Sequence, residues 1–305
     1  MKFPNLNKIV VYGSLAYDRV MDFPGRFKDN FIANKLHNIN VSFAVPTLKE
    51  SFGGTAGNIS YNLCLLKYKP IILSSVGNDF SKYKKWLQSR GVNTLYLNLV
   101  RNTTTASAYI ITDKDDNQIT GFYFGAMQIP YRTFPVKVFN KSMMIIAPGN
   151  VSDMKRLVKL CKRTRTPYIY DPAQQIPILS STDLALGVTG SHVFIGNDYE
   201  ISLTAKKLGL SEKSLINKCK ILIRTLGSKG SEIWYQGKRI RIPAVKAKKV
   251  VDPTGAGDAY RAGLVDGLLR GWPLTRSSRQ AAAIASRAVE KYGTQNHKFN
   301  SRVYI

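Results

Sequence analysis

An α/β fold, with a central and mostly parallel sheet, helices on both faces and a small β-sheet lid, is what this sequence predicts. Three observations carry that expectation. Short apolar runs alternate with segments of helical spacing along most of the 305 residues, as strand–helix units of a parallel sheet do. Two segments, 19–52 and 103–126, break that rhythm with strand-like patterns and little helix signal. Near the end, Gly255, Ala256 and Gly257 stand directly before Asp258 and an apolar helical run, leaving bare backbone N–H groups at a helix start.

The elements follow in order. KIVVYGS (Lys8–Ser14) reads as a buried strand, NISYNLCLLKY (Asn58–Tyr68) as a helix and IILSSVG (Ile71–Gly77) as a strand. A helix over Asp79–Gly91 ends on its glycine, as a C-cap favours. Met143–Gly149 is a strand, with Ser152 placed to cap the helix after it. Tyr168–Pro172, Val193–Asp198 and Ile221–Gly227 are further buried strands, and SEIWYQG–KRIRIPA is a hairpin. Helices over about 257–270 and 275–291 close the chain. ASAYIITD and QITGFYFG, joined by DKDDN, form a second hairpin within 103–126. The core is therefore expected from 1–18, 53–102 and 127–305, and the lid from 19–52 and 103–126. Ligands would sit at the carboxyl ends of the parallel strands.

Composition narrows the class. Apolar residues at 44% and charged residues at 21% indicate a globular chain. No apolar run approaches the ~20 residues that span a bilayer, and the N-terminus reads as a first strand rather than a signal peptide. Cys64, Cys161 and Cys219 are odd in number and widely spaced, which argues against a disulfide framework and for a cytoplasmic protein. His37, His192 and His297 form no metal or triad pattern. The net charge of +26 is open to two readings, nucleic-acid binding or a solvated basic surface. Its dispersal along the chain, with no basic tail or aromatic-interleaved stripe, argues for the second.

Four segments carry chemistry. At Gly255–Asp258 a carboxylate beside an anion-binding helix start suits a general base acting next to a held phosphoryl group; an ordinary capped helix is the bland alternative. FGGTAGN (Phe52–Asn58) offers a hinge, a close approach to ligand or a tight turn, with Asn58 as a cap or a hydroxyl ligand. Asp18 follows the first strand, where its carboxylate could accept hydrogen bonds from a vicinal diol or close a turn. NDYE (Asn197–Glu200) could order Mg²⁺-bound water or phosphate, or simply cap a helix. TLGSKG (Thr225–Gly230) lets a nucleotide lie against small residues, or is a loop into the following hairpin.

In this order the four segments resemble the PfkB/ribokinase family of sugar and nucleoside kinases across nearly the whole chain. Finer pieces resemble the bacterial type of adenosine kinase: GSLAYDRVMDFPGRF (Gly13–Phe27), LHNINVSF (Leu36–Phe43), FYFGAM (Phe122–Met127), DPAQQ (Asp171–Gln175) and YGTQ (Tyr292–Gln295). The resemblance implies a ribokinase-like fold and transfer of the ATP γ-phosphoryl to the 5′-hydroxyl of a nucleoside, adenosine to AMP in purine salvage, with Mg²⁺. It implies Asp258 as base and the N–H groups of Gly255, Ala256 and Gly257 as anion hole. Asp18, Gly54 and Asn58 would bind the ribose, Ser14 and Ser42 would lie beside the nucleoside, Phe122 would flank the purine, and Gln174 and Gln175 would lie nearby. Asn197 and Glu200 would organise Mg²⁺ and phosphate; Thr225, Gly227 and Gly230 would line the ATP site. Asp252 and Thr254, with the late YGT loop (Tyr292–Thr294), could form the K⁺ site that some members use. A homodimer through the lid is a further implication. One departure stands out: where a second lid aromatic is expected, the chain has Ala108, with Tyr109 next to it. The alternatives are a sugar kinase, a kinase for inosine, guanosine or cytidine, and a nucleic-acid-binding protein with a relict kinase fold.

Overall fold

The structure, a computed structural model, describes residues 6–31 and 40–299. His37 and the start of the 36–43 segment lie outside the described residues. The larger sheet has eight strands in the order β14-β13-β12-β11-β10-β9-β1-β4. Its parallel part comprises β1 (Lys8–Tyr12), β4 (Ile71–Leu73), β9 (Ser142–Ile146), β10 (Tyr168–Tyr170), β11 (Val193–Asn197) and β12 (Ile221–Thr225). The hairpin β13 (Ser231–Tyr235) and β14 (Lys238–Ile242) adds two antiparallel strands, so the sheet is mixed. Lys238, Arg239 and Arg241 charge the outer strand, which discourages edge-to-edge pairing.

Alternation along β1 shows why both faces are covered. Ile9 and Val11 pack with α1 (Thr55–Leu65), α7 (Ala256–Leu269) and α8 (Leu274–Ala288). Val10 and Tyr12 face the other way, against α3 (Val151–Thr164), α4 (Ser181–Val188) and α5 (Asp198–Lys207). The two faces bury separate apolar clusters, as a doubly covered sheet requires.

The lid is a separate four-stranded sheet, ordered β3-β2-β7-β8, from β2 (Ala16–Asp22), β3 (Leu48–Gly53), β7 (Ala106–Thr112) and β8 (Gln118–Tyr123). Because β2 begins at Ala16, Asp18 lies within a lid strand and not in a loop behind the first core strand. Three other expectations need correction. The strand expected over 71–77 divides, because β5 (Ser75–Val76) leaves the large sheet to pair with β6 (Asn98–Leu99), where Asn98 Nδ2 donates to Ser75 Oγ. Helix α1 begins three residues before Asn58, because Gly54 at φ +84° turns the chain directly into it. The cap of α3 is Asn150 and not Ser152: Asn150 has extended backbone angles, and its side chain accepts from the N–H groups of Ser152 and Asp153. The helix α2 (Ser81–Ser89) ends at Ser89, and Gly91, two residues on at φ +90°, turns the chain away from it.

No helix among the described residues is long and apolar enough to cross a membrane. The three cysteines are unpaired, and burial pushes each thiol up to about 12, far from the thiolate a nucleophile needs. His297 is buried, with Nε2 2.8 Å from Asn62 Oδ1. His192 Nε2 lies 3.1 Å from Lys220 Nζ.

Candidate active site

The carboxyl ends of β1, β10, β11 and β12 converge with the N-terminus of α7, and the site forms there. Gly255 is the residue before α7, at φ +77°, a left-handed conformation that a side chain would resist. Asp252 fixes the approach. Its Oδ1 accepts from Thr254 N–H at 2.9 Å, and its Oδ2 accepts from Gly293 N–H at 2.9 Å. The N–H groups of Gly255 and Gly257 have no acceptor among the described residues, and that of Ala256 has only a 3.3 Å contact to Pro253 O. An anion at this helix start meets open donors.

Asp258 stands in the first turn of α7 and is 9% exposed. Burial pushes its carboxyl up to about 7; Asp171 and Asp18 add to the rise, while Arg261 and the Asn58 amide oppose it. Such a group is half ionised near neutral pH, where a general base is most useful. Asn58 Nδ2 donates to Asp258 Oδ2 at 2.9 Å. The orientation of that amide follows from donor logic. Trp86 Nε1–H can only donate, and it donates to Gln295 Oε1 at 3.0 Å. Gln295 Nε2 therefore faces Asn58 Oδ1, at 3.2 Å, and Asn58 must turn its own Nδ2 toward Asp258. Thr294 Oγ1, 2.7 Å from the same Asn58 oxygen, reinforces it. Asn58 thus commits its amide N–H to the Asp258 carboxyl.

The acceptor side is the lid. Pairing sets Ser51, Asp18, Ala108 and Phe122 in one row across the four strands, on one face of the sheet. Asp18 leans over Gly53, where a Cβ would come within 2.2 Å of Oδ2. Burial and the nearby Asp252 charge raise the Asp18 carboxyl to about 6. Phe122 is 42% exposed and meets Phe124 edge-on at 5.3 Å. Tyr109 does not replace the absent aromatic. It lies on the opposite face, where its hydroxyl accepts from Arg19 Nη1 at 2.8 Å.

Other expected nucleoside contacts are placed less openly. The Ser14 hydroxyl accepts from Thr55 N–H at 3.1 Å and so anchors the start of α1. Gln175 is buried, while Gln174 is exposed. Ser42 is exposed, and no contact ties it to Asp18. Gly54 supplies its carbonyl to Asn58 N–H.

On the nucleotide side, Asn197 and Glu200 form a reciprocal capping box at the start of α5. Asn197 Oδ1 accepts from Glu200 N–H and Glu200 Oε2 from Asn197 N–H, each at 2.8 Å. Thr225 ends β12, and Gly227 (φ +56°) and Gly230 (φ +91°) shape the open turn after it. Burial raises the Glu200 carboxyl, and Asp171 adds to the rise. Asp171, at the end of β10, has one oxygen in ion-pair contact with Arg261 Nε and the other, Oδ1, buried without a hydrogen-bond partner among the described residues. Among the described residues no three acidic, histidine or cysteine side chains cluster tightly enough to hold a metal by themselves. Glu200 with the unsatisfied Asp171 oxygen nevertheless fits Mg²⁺, which takes one or two carboxylates and fills its shell with water and phosphate. Each Asp252 oxygen accepts one backbone N–H group and keeps a second acceptor position for a K⁺ ion.

Sequence reasoning gave no role to Arg261, Asp171, Gln295 or Tyr83. An arginine one turn after Asp258, in a helix mostly of small and apolar residues, was the one available signal for Arg261.

The chain matches the pfkB family of carbohydrate kinases over residues 6–300. It is 32% identical over 296 residues to a nucleoside kinase of Methanocaldococcus jannaschii, covering 96% of this chain and 93% of that one. Its fold superposes with a TM-score of 0.86 on Burkholderia thailandensis nucleoside kinase in complex with inosine, 33% identical, covering 96% of this chain and 94% of the other. The same enzyme in complex with ADP-inosine gives a TM-score of 0.84 at 33% identity, with 96% and 92% covered. With the family matched along nearly its whole length, this chain belongs to the pfkB family of carbohydrate kinases.

Proposed function

We propose that the protein transfers the γ-phosphoryl group of ATP to the 5′-hydroxyl of a purine nucleoside, with adenosine as the acceptor its lid segments resemble and inosine as a second. One observation carries the reading: a buried carboxylate, Asp258, is held by Asn58 beside open N–H donors, with the Asp18–Ala108–Phe122 row of the lid as the acceptor side. The nucleoside 5′-oxygen attacks the γ-phosphorus, the bond from that phosphorus to the β–γ bridging oxygen breaks, and the hydroxyl proton passes to Asp258. ADP and the nucleoside 5′-monophosphate leave. Positioning and charge stabilisation are most of what this transfer asks of a protein.

Asp18 accepts hydrogen bonds from the ribose diol, and Phe122 offers its ring to the purine. Thr225 and the Gly227–Gly230 turn line the nucleotide. Glu200 and Asp171 would hold Mg²⁺, partly through water, and when bound it neutralises charge on the phosphates. Closure of the lid over the site would exclude water, which limits ATP hydrolysis. With alanine in place of an aromatic opposite Phe122, the purine pocket is loose enough for either a 6-amino or a 6-oxo purine.

A homodimer through the lid belongs to the same reading. Leu48, Tyr109, Ile119 and Tyr123 are exposed on the face turned away from Asp18. Sedimentation of the purified chain reads its oligomeric state directly.

A panel of acceptors (adenosine, inosine, guanosine, cytidine and ribose), assayed for ADP release with and without K⁺, tests the proposal. Turnover with purine nucleosides above ribose by tenfold or more is the expected result. Ribose as the best acceptor would move the protein to the sugar kinases.

A further inference from the structure

Arg261 is the one arginine among the described residues whose side chain is both buried and directed at the reaction centre without an ordinary complement of acceptors. It is 6% exposed and lies one turn after Asp258 on α7. A guanidinium carries five N–H donors in a planar fork. Its Nε is in ion-pair contact with Asp171, although that N–H is not aligned as a hydrogen bond. Nη1 and Nη2 have no acceptor among the described residues. Only Nε is fully buried without an aligned partner, so the Nη groups stay open to a ligand or to water.

The direction of the side chain shows where that ligand lies. Arginine in a helix leans toward the N-terminus. Here the lean brings Nη1 to within 2.7 Å of the place where a Cβ on Gly257 would stand. Gly257 is one of the three anion-hole residues, so the guanidinium fills the space its missing side chain leaves. Asp258 and Glu200, besides Asp171, are the acidic groups whose charges act on Arg261. The cation therefore sits among the base, the capping-box glutamate and the open N–H groups.

We infer that Arg261 is a further catalytic residue, whose Nη groups donate to the oxygens of the phosphoryl group as it passes from ATP to the acceptor. This rests on the phosphoryl-transfer reading above. Arginine supplied in this way acts on charge that spreads over the equatorial oxygens in the transition state. Its contact with Asp171 holds the fork in place and leaves the Nη edge for the substrate.

Steady-state kinetics of R261Q and R261K with both substrates varied, together with binding of ADP, test the assignment. For R261Q, kcat falls by about 10²–10⁴-fold, while the nucleoside KM and the ADP affinity stay within about threefold of the parent, a split expected for a contact made only in the transition state. R261K keeps the charge opposite Asp171 but loses the fork, and its kcat falls by about tenfold or more. The double variant Asp171→Asn, Arg261→Gln removes both halves of the pair and with them a carboxylate offered to Mg²⁺, so it is at least as slow as R261Q; recovery of activity in it would mean that Arg261 serves only to neutralise Asp171, and would overturn the inference. So would a kcat within threefold of the parent in either single variant, or a loss confined to KM. If R261Q does not fold, R261K alone decides by the same threshold. Absence of nucleoside kinase activity in the parent, by contrast, would defeat the phosphoryl-transfer reading itself.

Discussion

The two ends of the cleft are built to different standards. At the phosphoryl end Asp258, Asn58 and Arg261 are 9%, 5% and 6% exposed, and each is held by side chains from distant parts of the chain. At the acceptor end Phe122 is 42% exposed, and Ser42 stands in the open. The first region is buried and braced by contacts across the chain, with open donors left at Arg261 and the start of α7; the second stands open to solvent. In the proposed function the buried end carries the chemistry and the exposed end chooses the acceptor. Substitutions at the two ends should then fail in different kinetic parameters.

The largest effect is expected from Asp258→Asn. Loss of the base should lower kcat by about 10²–10⁴-fold with little change in ATP affinity, read by steady-state kinetics and nucleotide binding. Its stability should move the other way. The folded pKa of about 7 lies above the ordinary value of 3.8, so the folded state binds a proton that the unfolded state does not over the range between. Stability from this group is therefore greatest below the unfolded pKa and is lost as pH rises through about 7. The neutral amide escapes that loss, and a melting temperature above that of the parent at pH 8 is the outcome to look for. An unchanged kcat would remove Asp258 from the chemistry.

Asn58→Ala comes next. Its amide is one of the two groups that hold the Asp258 carboxyl down. Without it the base needs a higher pH to ionise, and the acidic limb of the kcat/KM profile, set by a group of pKa about 7, shifts upward. The loss should be about 10–100-fold at pH 7, from one charged hydrogen bond of about 1.5–3 kcal/mol, and smaller at pH 9. A profile that keeps its midpoint would mean the amide only binds ribose.

Asp18→Asn probes the other end. A carboxylate accepting from two hydroxyls is worth about 1.5–3 kcal/mol, so the nucleoside KM should rise by about 10–100-fold while a saturating rate persists. Equal damage to kcat and KM would erase the contrast between the ends.

Parts of this organisation were legible in the sequence, and the limits are physical. The start of α7 was readable because the conformational needs of Gly255, the small residues and the adjacent acid are all local. Strands β1, β9, β10, β11 and β12 were readable because each is a continuous apolar run. Asn58 was singled out as a polar residue, but its bond to Asp258 spans 200 positions and depends on Trp86 and Gln295 to orient it. Arg261 looked like any helical arginine until Gly257 and Asp171 were placed around it. In the NDYE segment the bland reading, a helix cap, is what the geometry displays, since Asn197 and Glu200 satisfy each other. Which face of the lid a residue takes was also hidden, because a one-residue change in register reverses it.

Register is why the smallest effect is the most discriminating. Ala108 pairs with Asp18 on one side and Phe122 on the other, whereas Tyr109, one position on, belongs to the opposite face with Arg19. If the purine lies along that row, Ala108→Phe places a second ring beside Phe122 at cross-strand distance. An aromatic pair contributes about 0.5–1.5 kcal/mol beyond area, which lowers the purine nucleoside KM by about 2–10-fold and leaves kcat unchanged. Tyr109→Phe, on the other face, leaves nucleoside KM where it was. Because the two positions are adjacent in sequence and differ only in the face they present, a gain at 108 with none at 109 would locate the base on the Asp18 side of the lid; equal responses would place it elsewhere.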